Sequence, residues 1–356
     1  MPNTRHITEF AGLPVAEFTS WESIRDDFDT AMRWARNRGE PHAELPPSHE
    51  PLFRALADPG SFAWRLRTVP PPYHFTTRGK GRPFETLSEY LDRFVELVPP
   101  QRVRALVVGH TPDEKGEMDA ALVAGELRER APHWPELRSL FFGEILQAEN
   151  EISWIDLSDL APLVSAFPKL RRLVVRGGSG TLGLRLPEHR WLRELTVESG
   201  GLRPEVVRDV CASGLPGLRR LELWLGADEY GGGAAPEDLT PLLTGEAFPE
   251  LEYLGLLNTE GVDSWIAPLA RSAVLKRVRS LGLGLGDLTD EGGRAIVEHA
   301  DAFAHLELLD LHHHFLSEEV RTEIGAALPG VRVNLSAPQT PEKWDGELHY
   351  YTAVSE

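Results

Sequence analysis

Apolar residues recur along this chain in one spacing: an apolar residue, two variable ones, an apolar residue, one variable, an apolar residue. The pattern reads VRALVV at 103–108, LRSLFF at 137–142, LRRLVV at 170–175, LRELTV at 192–197 and LRRLEL at 218–223. It continues as LEYLGL at 251–256, VRSLGL at 278–283 and LELLDL at 306–311, and closes with a contracted VRVNL at 331–335. Alternation within each run predicts a strand with one face buried. Several intervening stretches predict helices: DLSDLAPLVSAF at 156–167, PEDLTPLLTG at 236–245, SWIAPLARSAVL at 264–275, LTDEGGRAIVEHADAF at 288–303 and LSEEVRTEIGAAL at 316–328. Thr289 and Ser317 stand just before acidic residues, as helix N-caps do.

The runs start roughly 22 to 34 residues apart, which is the spacing of a leucine-rich repeat. The expected fold is therefore an α/β leucine-rich-repeat solenoid of about nine strands. It would have a parallel sheet on the concave face and helices on the convex one, with the right-handed crossovers that parallel strands require. Three regions follow. Residues 1–100 lack the repeat and read as an N-terminal α/β cap. The array spans 101–335, and 336–356 is a tail whose last stretch, HYYTAV, reads as a strand covering the array's edge. Within the cap, 21–38 has apolar residues at helical spacing (Trp21, Ile24, Phe28, Met32, Ala35), 61–69 reads as a strand and 83–98 as a helix. The proline-rich runs at 39–51 and 69–75 read as loops, and so does most of the short interval between 170 and 192.

Hydrophobic residues make up 41% of the 356-residue chain and charged residues 26%, an ordinary globular composition. The net charge of −18 argues against a nucleic-acid phosphate backbone or an anionic membrane as the main partner. One cysteine, Cys211, excludes an intramolecular disulfide framework and is expected on the buried side of a short helix. No leader pattern or membrane-length apolar run is present, so the expectation is a cytoplasmic protein.

Four constellations invite a chemical reading. GSGTLG at 178–183 matches G-x-G-x-x-G, but the next strand follows too closely for the helix a dinucleotide needs, so it reads as a turn. Arg104, Arg138, Arg171, Arg193, Arg219, Arg279 and Arg332 align at strand entrances, as a row interleaved with carboxylates or as a track for an acidic partner. Asp310, His312 and His314 alternate along one strand and would share a face, where two such imidazoles and a carboxylate can converge on a metal ion. The plainer reading is histidines hydrogen-bonded among neighbouring turns. Finally, the repeat register puts Arg220, Glu222 and Trp224, then Tyr253, Gly255 and Leu257, then Ser280, Gly282 and Gly284, then Leu308, Asp310 and His312 on the concave face. The glycines predict a shallow floor, walled by Trp224, Tyr253 and Leu257 on one side and by Asp310 and His312 on the other.

ITEFAGLPV at 7–15, FAWRL at 62–66, VESGGL at 197–202, LELWLG at 221–226 followed by DEYGG, and LDLHHHFLS at 309–317 resemble a bacterial leucine-rich-repeat-like family common in actinomycetes. The resemblance covers most of the chain and departs in 20–60, where extra length is present. It implies a repeat fold without assigned catalytic residues. It also implies an operon context with radical-SAM-like and ATP-grasp-like enzymes, hence an accessory role in a modification pathway. No Ser/His/Asp or Cys/His arrangement of known geometry stands out. The functional expectation is a non-catalytic scaffold without a cofactor, binding a protein or peptide on Trp224, Tyr253, Gly255, Leu257, Gly282, Gly284, Asp310 and His312. The alternative is a metal-binding protein or metal-dependent enzyme centred on Asp310, His312 and His314.

Overall fold

The repeated apolar positions become parallel strands with one face turned into a core. The computed structural model describes residues 4–20, part of 23–39, 50–68, 85–112 and 116–355. It shows a mixed α/β fold in two compact units, one of residues 5–149 with 162–170, the other mainly of 150–161 with 171 onward. The units therefore break at neither 100 nor 335. Among the described residues, no helix is long and apolar enough to cross a membrane.

In the first unit, β1 (Glu9–Phe10) pairs antiparallel with β2 (Leu13–Phe18). From β2 the ladder runs parallel through β3 (Ala63–Leu66), β4 (Ala105–Gly109) and β5 (Ser139–Glu144). The segment before residue 100 thus supplies strands to the parallel ladder itself and is more than a cover. One side of these strands packs a chain of aromatic rings. Phe18, Trp64, Phe94 and Trp134 follow one another at centroid separations of 6.3, 5.5 and 6.0 Å. Phe94 and Tyr90 come from the helix Leu87–Leu97. That helix starts at Thr86, whose hydroxyl accepts from Glu89 N–H while the Glu89 carboxylate accepts from Thr86 N–H, so two of the unpaired donors of the first turn are satisfied. Of the expected helix at 21–38, the described positions, including Ala35 to Arg38, are helical. Of the loops expected at 39–51 and 69–75, Gly39 is described as a turn and Glu50 and Pro51 open the helix Glu50–Ala57; the rest lies outside the described residues.

In the second unit, β6 (Asp156–Asp159) pairs with β8 (Ser179–Gly183) in a small parallel sheet. Seven further strands form one parallel ladder: β7 (Arg172–Arg176), β9 (Glu194–Glu198), β10 (Arg220–Gly226), β11 (Tyr253–Thr259), β12 (Ser280–Gly282), β13 (Leu308–Asp310) and β14 (Arg332–Asn334). Their register aligns Leu173, Leu195, Leu221, Leu254, Leu281 and Leu309. Each is at most 1% exposed, as are Val197, Leu223, Leu256, Leu283 and Leu311 two residues later. Helices cover this side. Asp290–Glu298 and Glu318–Ala327 begin at Thr289 and Ser317 as expected, each side chain accepting a backbone N–H of the first turn. Pro204–Cys211 turns Cys211 inward.

Three expectations fail for local reasons. Residues 156–167 open as strand β6, leaving a helix only at Ala161–Ser165. GSGTLG is strand β8 and not a turn. A Cβ on Gly183 would lie 2.7 Å from Asp159 Oδ1 and one on Gly180 2.7 Å from the Leu157 carbonyl, so these glycines admit a neighbouring strand. The tail does not add a strand to β14. It forms the separate exposed hairpin β15 (Glu342–Trp344) and β16 (Glu347–His349) around Asp345 and Gly346, both at positive φ. Asp-Gly is the usual two-residue hairpin turn.

Truncating one ladder leucine removes a buried side chain and opens a cavity. Leu309→Ala should cost about 2–5 kcal/mol in urea unfolding, whereas a change under about 1 kcal/mol would mean that Leu309 is not in the core.

Candidate functional site

Opposite the leucines, the seven-stranded ladder carries charged and aromatic side chains in rows. One row runs Arg172, Glu194, Arg220, Tyr253, Ser280, Leu308, Arg332; the next runs Val174, Thr196, Glu222, Gly255, Gly282, Asp310, Asn334. Glu222 is the hub. It accepts from Arg220 Nη2 at 2.6 Å, Trp224 Nε1 at 3.1 Å and the Tyr253 hydroxyl at 3.3 Å. The Arg220 guanidinium carbon lies 3.5 Å from the Tyr253 ring centroid, so the cation stacks on the ring whose hydroxyl shares its carboxylate. Burial, and then the negative charge of Glu222, push the Tyr253 phenol well above its ordinary range, which keeps it a donor. Beside this cluster Arg176 grips Glu198 with Nε at 2.7 Å and Nη2 at 2.6 Å.

The three glycines do not leave a shallow floor. A Cβ on Gly255 or on Gly282 would stand 2.8 Å from the Tyr253 hydroxyl, and the Leu257 methyl lies 3.1 Å from that of Gly282. The phenol therefore lies across Gly255 and Gly282, and His312 lies over Gly284 in the same way. The glycines seat rings, and Leu257 is itself buried. Trp224 and Tyr253 stand together as expected, while Asp310 and His312 form their own group. Asp310 Oδ1 is 2.9 Å from His312 Nδ1 and accepts from Asn334 Nδ2 at 2.8 Å.

His314 does not join them. His313 takes φ +57°, in the left-handed region, and this bend ends the alternation, so the next side chain turns inward. His314 is fully buried; its Nδ1 accepts from Leu316 N–H at 3.1 Å and its Nε2 faces the Leu335 carbonyl at 3.1 Å. Both ring nitrogens are bound to backbone, so the proposed Asp310, His312 and His314 triad is not assembled. Among the described residues no group of three His, Cys, Asp or Glu side chains is placed to hold a metal ion.

The arginine row behaves as an interleaved surface. Arg193, Arg219 and Arg279 follow one another at strand entrances with Glu252 and Glu307 in the same series, each N–H donating to the preceding member's carbonyl at 2.8 Å. Arg219 lies 3.5 Å from Glu252, and Arg279 3.5 Å from Glu307, all exposed. Arg332 falls one position later, opposite Leu308, because the last run is contracted.

A polar cluster in the first unit carries no sequence signal. Glu144, fully buried on β5, accepts from Ile7 N–H and from Arg65 Nε, each at 2.9 Å, and lies 3.0 Å from His6 Nδ1. Arg65 is itself buried and reaches towards Glu17 at 3.8 Å. The cluster ties the segment before β1 to the strands.

No protein-family model and no curated protein matches the chain. Among solved structures it is similar to a structural-genomics protein from Bacteroides fragilis, with 28% identity and a TM-score of 0.68 over 75% of this chain and 73% of that one.

Burial holds the His314 imidazole below its ordinary value. A depressed folded-state value means that this stability is complete above the unfolded value of about 6.5 and is lost as pH falls below it. His314→Gln should therefore be less stable than the parent at pH 8 and show a shallower loss of urea midpoint from about pH 6.5 to 5. Equal slopes in the two proteins would contradict a buried neutral imidazole.

Proposed function

We propose that the seven-stranded unit is a leucine-rich-repeat array acting as a non-catalytic cytoplasmic scaffold, which holds a protein or peptide partner on the sheet face opposite its helices. The observation that carries the reading is the cluster of Arg220, Glu222, Trp224 and Tyr253, mounted on in-register strands beside Asp310, His312 and Asn334. Tryptophan, tyrosine and arginine dominate binding hot spots because they offer large contact areas with a polar handle. Here each polar handle already has a partner, so the group is held in place before anything docks. The acidic balance of the chain favours a protein partner over nucleic acid or an anionic membrane. The family resemblance suggests an enzyme of a modification pathway as that partner.

Co-purification of the full chain from its native host, with two variants alongside, tests the proposal. Gly282→Trp displaces the Tyr253 phenol, and Trp224→Ala removes the half-buried indole. Both should lose the partner while keeping the parent's circular dichroism. A partner retained by both variants binds elsewhere.

A further inference from the structure

The ladder's strand ends hold a second feature, independent of the sheet face. Residues 353–355 lie across them, held through their backbone. Ala353 N–H donates to the Leu285 carbonyl at 2.8 Å. Val354 N–H donates to Asn258 Oδ1 at 2.9 Å, and Asn258 Nδ2 donates back to the Val354 carbonyl. The Ser153 hydroxyl donates to the Ser355 carbonyl. Three successive residues are thus read through their backbone, and one side chain, Val354, is buried. Asn258 is fully buried, sits at φ +52° and has its remaining amide hydrogen on the Ser199 carbonyl at 3.2 Å. Its carboxamide therefore does for this segment what a neighbouring strand would do. Gly200 completes the groove, since a Cβ there would stand 2.7 Å from the Ser355 carbonyl.

The connection to this segment is loose. After Gln339, whose N–H donates to the His314 carbonyl at 2.7 Å, the chain runs through the hairpin β15–β16, where all six residues are exposed or only partly covered. It returns to the unit at Tyr350, whose ring meets Phe315 at 5.1 Å. A short segment read through its backbone, with one buried apolar side chain and a solvent-exposed tether, has the form of a bound peptide.

We infer that the groove formed by Ser153, Ser199, Gly200, Asn258 and Leu285 is a peptide-binding site, filled here by Ala353–Ser355 and able to take an extended segment of the same kind from another polypeptide. The ligand is a strand-like stretch with a small branched apolar residue between two small ones. Main-chain hydrogen bonds supply affinity, and burial of the Val354 side chain supplies selectivity. The chain's own segment then competes with any such ligand.

The full chain, with a protease site inserted between Asp345 and Gly346 and cut after folding, tests this. A fluorescent peptide of sequence 347–356 is added, and anisotropy reads its binding. The nicked protein should exchange its own fragment for the labelled peptide and stay folded. A peptide carrying Val354→Asp should bind at least about tenfold more weakly, because a carboxylate is costly to bury. Trp224→Ala in the protein should leave the peptide's affinity unchanged, which separates this site from the sheet face. Three results would overturn the inference: a fragment that never exchanges, a protein that melts when the fragment leaves, or a Val354→Asp peptide that binds as well as the parent.

Discussion

Side chains alternate along a strand, so a slip of one residue in any of the strands β7 and β9 to β13 would carry its core leucine to the open face and the side chains of that face into the core. Burying one leucine gains about 1.5–3 kcal/mol, and two rows of such residues run through the ladder almost without exposure. This pins the register. What stands on the other face is then set residue by residue, and Arg220 meets Tyr253 because Leu221 meets Leu254. The polar cluster follows from the apolar one.

The same ladder organises the strand ends. Asn258 near the end of β11, and Leu285, His313 and Ala337 just beyond β12, β13 and β14, occupy equivalent positions relative to the aligned core residues Leu254, Leu281, Leu309 and Val333, and all four take positive φ. The bend at His313 turns the following residue, which is how His314 comes to be buried, and at the equivalent bend Asn258 itself holds residues 353–355 with its carboxamide. Two surfaces arise from one parallel ladder: a face of fixed charges and rings, and an edge whose groups hold the backbone of residues 353–355. On the face, Glu222 already holds three donors, so little ordering remains to be lost when another surface docks, and preorganisation of this kind lowers the cost of association.

The sequence made the periodic part legible. Every leucine assigned to the core is there, the caps at Thr289 and Ser317 form, and the face rows are those that alternation predicts. What stayed hidden depends on positions where alternation stops or where distant segments meet. The histidines look equivalent until His313 bends. Gly255 and Gly282 look like open floor until Tyr253, two residues before Gly255 and opposite Ser280 on the next strand, lies across both. GSGTLG looks like a turn because the next strand follows so closely, and β6, the strand that its glycines admit, itself reads as helix. The Glu144 cluster joins residues separated by 138 positions, and no spacing rule spans that. The clamp at Asn258 is equally remote, since its ligand lies 96 residues further on. The Asp-Gly hairpin was visible in principle, in the turn residues of KWDGEL.

The central claim is that register makes Arg220, Glu222 and Tyr253 one unit, and a double-mutant cycle measures that directly. Arg220→Ala, Tyr253→Ala and the double variant are compared by urea unfolding. Stacking of the guanidinium on the ring, with both groups meeting on Glu222, predicts a coupling energy of about 0.5 kcal/mol or more. Additivity within about 0.3 kcal/mol would show that the two side chains do not act together, and the register account of this face would be wrong.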